Sequence, residues 1–530
     1  MMTGTRRPPT LALLTLSALP SLLAPAACSS QSHPPPLQEP SGSLDAGGVA
    51  DVDVEEDSAV PDATVSYGEL AWVTTIGGDF NEYAAGVGID EQGTSWIAGS
   101  FTVDTEFGDE SAGAVLSAEA TEDVFLAGYD ADGRLVDATA IAAAPGSSSY
   151  AFARGLAVHP SGSAVVVGGL IGSASCGKAA EFTASGSDGL ISWVEPDGEV
   201  ARARLLGGSD DACDFKQDCE RVSSVAMDAD GGVVIAAKLS GHVVVEPTAS
   251  PVVEIHAKPT GEPVVVRLRA DGTVAFARVM QEVSGDVAVA AVDDGGVLVT
   301  GAFHGTWSIP EVASISAGEH PDAFVLRLGP GGEPEWLTRG GGIGIGDERG
   351  IAIRALPDGS SIVAGIYGTE ATFGQGSATE TVLPASGGSD VFIARYDAQG
   401  ALEWVRECGG SGQDGIRLFL AMLPDGSSAI AGYFTGGATF GRGEATESTL
   451  PAGSWTAVAA RLDSAGRMLG AFALAEPGKG LHLQGLAMAP GGRLVIAAQY
   501  SGPVAIGATA AVMPSSPRSV LLAALDPPTE

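Results

Sequence analysis

An all-β fold is predicted for this chain: a seven-bladed β-propeller of four-stranded antiparallel blades, closed by an N-terminal strand that joins the last blade. Three observations carry it. An apolar strand ending in a tight glycine turn recurs seven times, at Gly93, Gly162, Gly231, Gly295, Gly359, Gly426 and Gly492, in steps of 69, 69, 64, 64, 67 and 66 residues. A second strand-and-turn marker alternates with the first, ending at Gly133, Gly198, Gly272, Gly332, Gly400 and Gly466. The last unit also stops after its third strand, while an orphan fourth strand precedes the first unit. A length of 530 residues exceeds one ordinary core, and 75 Gly with 45% hydrophobic and 17% charged residues suit a β-rich repeat protein with many tight turns.

In chain order, the first element is an export signal. Arg6 and Arg7 precede an apolar stretch from Leu11 to Ala24, interrupted by Ser17, Pro20 and Ser21, and small residues then lead into Cys28. That stretch is shorter than the roughly 20 residues a membrane-crossing helix needs. Leu22-Leu23-Ala24-Pro25-Ala26-Ala27-Cys28-Ser29-Ser30 resembles a bacterial lipoprotein signal, in which the cysteine becomes the lipid-modified first residue of the mature chain. Pro25 stands where that pattern usually has Leu, and cleavage to a plain secreted protein is the alternative. Residues 1–27 are thus read as a signal peptide and Cys28 as the lipidation site. Residues 28–66 form the second element. From Ser29 to Ser66 there is no Lys or Arg, but there are eight acids and the run Pro34-Pro35-Pro36, so the segment is expected to be an extended stalk.

Residues 67–530 form the propeller. Each first-marker glycine is followed by an apolar run such as Ile362-Val363-Ala364-Gly365 or Ile430-Ala431-Gly432-Tyr433. The second marker reads, for example, Phe324-Val325-Leu326-Arg327 or Phe392-Ile393-Ala394-Arg395, and a fourth strand such as Leu402-Glu403-Trp404-Val405 follows. An Asp-Gly turn between two β runs is a hairpin signal, because glycine takes positive φ freely. The orphan strand Gly68-Glu69-Leu70-Ala71-Trp72-Val73 matches the fourth strand at Gly400-Ala401-Leu402-Glu403-Trp404 and is expected to complete the seventh blade, leaving no open sheet edge.

From about residue 67 to the end, these units resemble the bacterial extracellular β-propeller repeat family of large secreted and surface proteins. The resemblance implies the fold and an extracytoplasmic setting, and it implies no particular activity. The acidic stalk and acidic propeller together look like surface lipoproteins of Gram-negative soil bacteria.

Charge narrows the partners. Lys+Arg 27 against Asp+Glu 65 gives a net −38, which repels nucleic acid and anionic lipid surfaces. Membrane contact is therefore expected only through the N-terminal lipid, at the outer membrane or cell surface; secreted and periplasmic locations are the alternatives. Candidate sites are few. Asp210, Asp211, Asp214, Asp218 and Glu220 surround Cys213 and Cys219, whose spacing in an exported protein suggests a disulfide staple; the five acids read as a solvated loop, with Ca²⁺ held through their oxygens as the alternative, although the spacing is not that of an EF-hand. Cys176 and Cys408 are left to pair with each other, to pair with that loop, or to be buried thiols. No other cofactor is expected.

Several motif fragments carry no chemistry. Gly172 to Lys178 lacks the Ser or Thr of a phosphate loop, and Gly340 to Gly350 aligns with an ordinary connection between blades. Asp90 to Trp96 is similar to a sialidase Asp-box but occurs once and with altered spacing. Trp72, Trp336, Trp404 and Phe276 occupy one position of the fourth strand, which points to packing between blades. No serine nucleophile elbow or zinc-protease helix occurs, and the seven His, among them His159, His242, His256, His304, His320 and His482, read as lying in separate units without ligand spacing. Short turns are expected on one face of the ring and long connections on the other, where binding would be built. The expected role is a monomeric, non-enzymatic surface module that binds an extracellular protein or glycan. A glycan hydrolase or lyase on the same scaffold, and an envelope spacer, are the alternatives.

Overall fold

The computed structural model describes residues 68–526 apart from 79–81, 109–112, 120, 142–148, 176–180, 208–220, 247–252, 259, 343–345, 347, 451–454, 477, 479, 508–510, 513 and 515–517. Among these residues there is no helix, and the strands form seven four-stranded antiparallel blades. Blade 1 consists of Tyr83–Ile89, Ser95–Phe101, Asp123–Tyr129 and Leu135–Ile141. Blades 2 to 6 follow at 150–206, 221–279, 283–341, 349–409 and 416–473. Each first strand touches the first strands of both neighbouring blades, and the seventh touches the first, so the innermost strands close a ring.

The seventh blade proves the closure expected from the orphan strand. Leu481–Met488, Leu494–Tyr500 and Ser519–Asp526 are joined by Glu69–Gly78, which pairs antiparallel with Ser519–Asp526 from Glu69 opposite Asp526 to Ile76 opposite Val520. Both ends of the described chain are thereby hydrogen-bonded into one sheet.

Turn chemistry explains the periodicity. Thirteen five-residue turns, seven between first and second strands and six between third and fourth, share one pattern: the glycine N–H donates to the first residue's carbonyl, and the first residue's N–H donates to the fifth residue's carbonyl. The glycines have φ between 75° and 92°, which side chains with a Cβ adopt only under strain. Asp often opens the turn and closes it again with its carboxylate. Asp90 Oδ1 accepts from Gln92 N–H at 3.0 Å and Thr94 N–H at 2.8 Å, and Asp397 does the same for Gln399 and Ala401. Asp90 Oδ2 also accepts from Trp96 Nε1–H at 2.9 Å, so the Asp-box-like fragment closes a turn and anchors a core tryptophan.

The blades stack through seven apolar layers, one between each pair of facing sheets. At their outer rim the expected role of the repeated aromatics is realised. Trp72, Phe276, Trp336 and Trp404 each lie against the third-to-fourth turn glycine of the next blade, so close that a Cβ on Gly133, Gly332, Gly400 or Gly466 would sit 2.6 to 2.7 Å from the ring. Trp72 and Trp336 also donate from Nε1 to the turn carbonyls of Ala131 and Ala398, each at 2.9 Å. Arg202 takes the same position against Gly272, and Gly470 takes it where no turn follows, beside the seam that the two chain ends share.

The opposite face carries the second-to-third connections, and these are hairpins. In blades 1, 5 and 6 the hairpins Thr105–Phe107/Ala114–Leu116, Ala371–Phe373/Thr381–Leu383 and Thr439–Phe440/Ser448–Thr449 each extend the fourth strand of the preceding blade. Phe107, Phe373 and Phe440 plug the layer beneath, each with its ring centroid 4.8 to 5.0 Å from a core phenylalanine. These three connections therefore have a structural task, covering the outer strand's edge. In blade 2 the second and third strands themselves lengthen to Ala164–Ser175 and Glu181–Val194. Separate hairpins in blades 3, 4 and 7 complete the face.

Candidate functional site

First strands begin on the hairpin-bearing face, so their opening residues surround the mouth of the central channel. Tyr83, Arg349 and His482 occupy the same rung of blades 1, 5 and 7, each opposite the next-to-last residue of the second strand. A register shift then interrupts the first strand of every blade, and in blades 2 and 6 it falls at Arg154 and Arg417. Such bulges re-aim side chains without ending the strand. Arg417 is one of two non-glycine residues with positive φ among those described, at 53°, a conformation that costs energy and concentrates at functional sites. Glu122 and Arg518 stand immediately before the third strands of blades 1 and 7 and flank Tyr83.

These side chains form a continuous arc across blades 6, 7, 1 and 2. Arg518 donates to Tyr83 Oη at 3.4 Å. Arg417 and Arg518 both act on His482: burial first, then these two cations, holds its imidazole below the usual range and favours the neutral form. Burial also raises the Tyr83 hydroxyl, with Arg518 opposing. Glu122 is pushed up to about 7, mainly by burial, against the pull of the Ser100 hydroxyl and Arg154. Its carboxyl thus exchanges a proton near neutral pH, next to a tyrosine hydroxyl.

The arc gathers several arginines at one mouth. Several arginines elsewhere are ion-paired: Arg221 with Asp286 through two bonds of 2.9 Å, Arg395 with Glu403 at 2.7 Å, Arg493 with Asp526 at 2.8 Å, Arg442 with Glu407 at 2.9 Å, and Arg267 with Asp228 in the core, whereas Arg278 and Arg354 bond only to backbone carbonyls among the described residues. Among the described residues Arg154, Arg349, Arg417 and Arg518 have no carboxylate partner within ion-pair distance. In a chain of net charge −38, four arginines at one mouth with no ion-pair partner among the described residues place positive charge there, shared in part with Glu122, on which Arg154 acts.

Of the residues the sequence singled out, Asp210, Asp211, Cys213, Asp214, Asp218, Cys219 and Glu220 lie outside the described residues, as do Cys28 and Cys176. Cys408 is a fully buried free thiol in the fourth strand of blade 5. The expectation that the histidines lie in separate units is corrected for one pair. His242 and His256 belong to the same hairpin of blade 3 and are directly opposite each other, because the connection between its second and third strands folds back on itself. Sequence reasoning also missed the mouth, whose residues come from distant parts of the chain.

No known protein family's sequence profile matches the chain, and no curated protein sequence matches it. Among solved structures it is similar to the β-propeller domain of the Trilobed protease from Pyrococcus furiosus, at 8% identity over 82% of this chain and 97% of that one, with a TM-score of 0.37. It is also similar to the Hadza microbial sialidase Hz136, at 10% identity over 88% and 94% with a TM-score of 0.34. A third is an ulvan lyase of polysaccharide lyase family PL25, at 7% identity over 83% and 95% with a TM-score of 0.35. Likeness at this level carries no inference about activity.

Proposed function

We propose that the protein is an exported surface module of a Gram-negative bacterium, tethered through a lipid on Cys28, whose propeller binds an anionic carbohydrate at the channel mouth. The observation that carries the reading is the gathering of Arg154, Arg417 and Arg518, without an ion-pair partner among the described residues, beside Tyr83 and His482. Guanidinium groups hold carboxylates and sulfates in paired hydrogen bonds, and aromatic rings suit the apolar faces of sugars. The test is binding of the full chain to polygalacturonate, with dextran as a neutral control. The expected result is binding to the acidic polymer alone, weakened at least tenfold by R417A/R518A and by added salt. Equal binding of both polymers, or no effect of the double substitution, refutes the reading; no binding at all favours the spacer. Incorporation of labelled fatty acid, abolished by C28A, tests the tether.

A second reading is cleavage of such a polymer. It is favoured by Glu122, whose carboxyl is held near neutrality beside Tyr83, because a general acid or base works best with a pKa near the working pH. Release of reducing ends or of unsaturated uronate by the wild type, lost in E122Q, would establish it.

A further inference from the structure

We propose that the blade 3 hairpin His242–Glu246/Val253–His256 is a zinc site formed by His242, Glu254 and His256. It stands independently of the channel mouth. His242 and His256 are a directly opposed cross-strand pair, and Glu254 lies on the same face two residues before His256. Strand alternation puts Val243, Val245 and Ile255 on the inner face, where they are buried in the layer between blades 2 and 3. The outer face therefore presents both imidazoles and the carboxylate to solvent from a backbone held by the core. A further bond from Ala257 N–H to the Gly241 carbonyl at 2.8 Å closes the base of the hairpin.

The donor atoms already converge. One oxygen, Glu254 Oε2, is 3.2 Å from His242 Nε2 and 4.0 Å from His256 Nε2, and all three ligand atoms lie within 4.8 Å of one another. The two rings stack with centroids 4.7 Å apart and 10° between their planes. Zn–N and Zn–O bonds of about 2.0–2.1 Å around a tetrahedral ion put donor pairs about 3.3 Å apart. His242 and Glu254 are at that separation, and a side-chain rotation of the exposed His256 brings in the third.

A hydrogen-bonded His242–Glu254 pair alone would account for one contact. It gives no reason for a second imidazole turned to the same oxygen. Two imidazoles and one carboxylate suit Zn²⁺ and neighbouring transition metals, whereas Ca²⁺ and Mg²⁺ require oxygen donors. Three protein ligands on an exposed face leave the fourth position to water or to an incoming donor. The acidity of the whole chain raises the local concentration of cations.

The experiment is calorimetric titration of the untagged, chelator-treated full chain with ZnCl₂, beside H242A/H256A and E254Q. The expected result is one zinc per chain in the wild type, with affinity reduced at least about 100-fold in the double variant, more than the loss of an outer-shell partner costs. E254Q binds more weakly than wild type, and CaCl₂ does not compete. Metal-free variants should melt at the wild-type temperature, since all three side chains are exposed. No zinc uptake, uptake unchanged in H242A/H256A, or displacement by Ca²⁺ overturns the proposal.

Discussion

Replacing Gly400 by alanine tests how the blades are locked together. Two costs follow from its position. With φ at +81°, an added Cβ incurs the left-handed penalty of about 1–2 kcal/mol. That Cβ would also lie 2.6 Å from the Trp336 ring, so the ring must shift and its Nε1–H bond to the Ala398 carbonyl must loosen, an overpacking cost of about 1–3 kcal/mol. The sum is about 2–5 kcal/mol. Gly93 is the internal control: its φ is +83° with no atom within 4 Å of the added Cβ, so G93A carries only the first cost. Urea unfolding followed by far-ultraviolet circular dichroism should place G400A below G93A by about 1–3 kcal/mol. In a W336A background the excess should vanish, since the ring that clashes is gone. Equal losses for G93A and G400A, or an excess that persists without Trp336, would refute the account of aromatic rings docking on turn glycines.

Other expectations follow from buried groups. Cys408 is sealed between Phe440 and the blade 5–6 layer, and burial raises its thiol pKa, so a thiol reagent should modify it only as fast as the protein unfolds. Rapid modification under native conditions would contradict this. Glu122 gives a pH signature with a defined sign. Its folded pKa of about 7 exceeds the ordinary 4.5, so the native state keeps a proton the unfolded chain has lost, and stability falls as pH rises from about 4.5 to 7. The contribution reaches at most about 3 kcal/mol, and E122Q should flatten the slope in that window. A slope unchanged by E122Q would place the proton elsewhere.

How much was legible in the sequence depended on distance along the chain. Blade number and closure could be read because each turn needs a glycine at positive φ, which stamps the period on the sequence, and because Glu69-Leu70-Ala71-Trp72 is recognisable as a fourth strand without its blade. Edge-covering hairpins were legible but unread: Thr105-Glu106-Phe107-Gly108, Ala371-Thr372-Phe373-Gly374 and Ala438-Thr439-Phe440-Gly441 repeat one pattern around a buried phenylalanine. The histidine pair carried a local signal too, since Val253-Glu254-Ile255-His256 alternates apolar and polar residues and His242 opens the valine run that precedes it. The mouth had none. Tyr83 meets Arg518 across 435 residues, a contact that exists only because the ring closes.

That closure has a mechanical side. Glu69–Gly78 is the sole strand of blade 7 not covalently continuous with its neighbour, and residue 69 emerges opposite Asp526, at the short-turn end of the strand. A force drawn through residue 69 along the strand axis therefore loads all the rungs from Glu69 to Ile76 in shear. Those rungs share the load, whereas a force directed across the strand would peel them singly. Tension drawn through residue 69 along the strand therefore acts on the ring at this one seam.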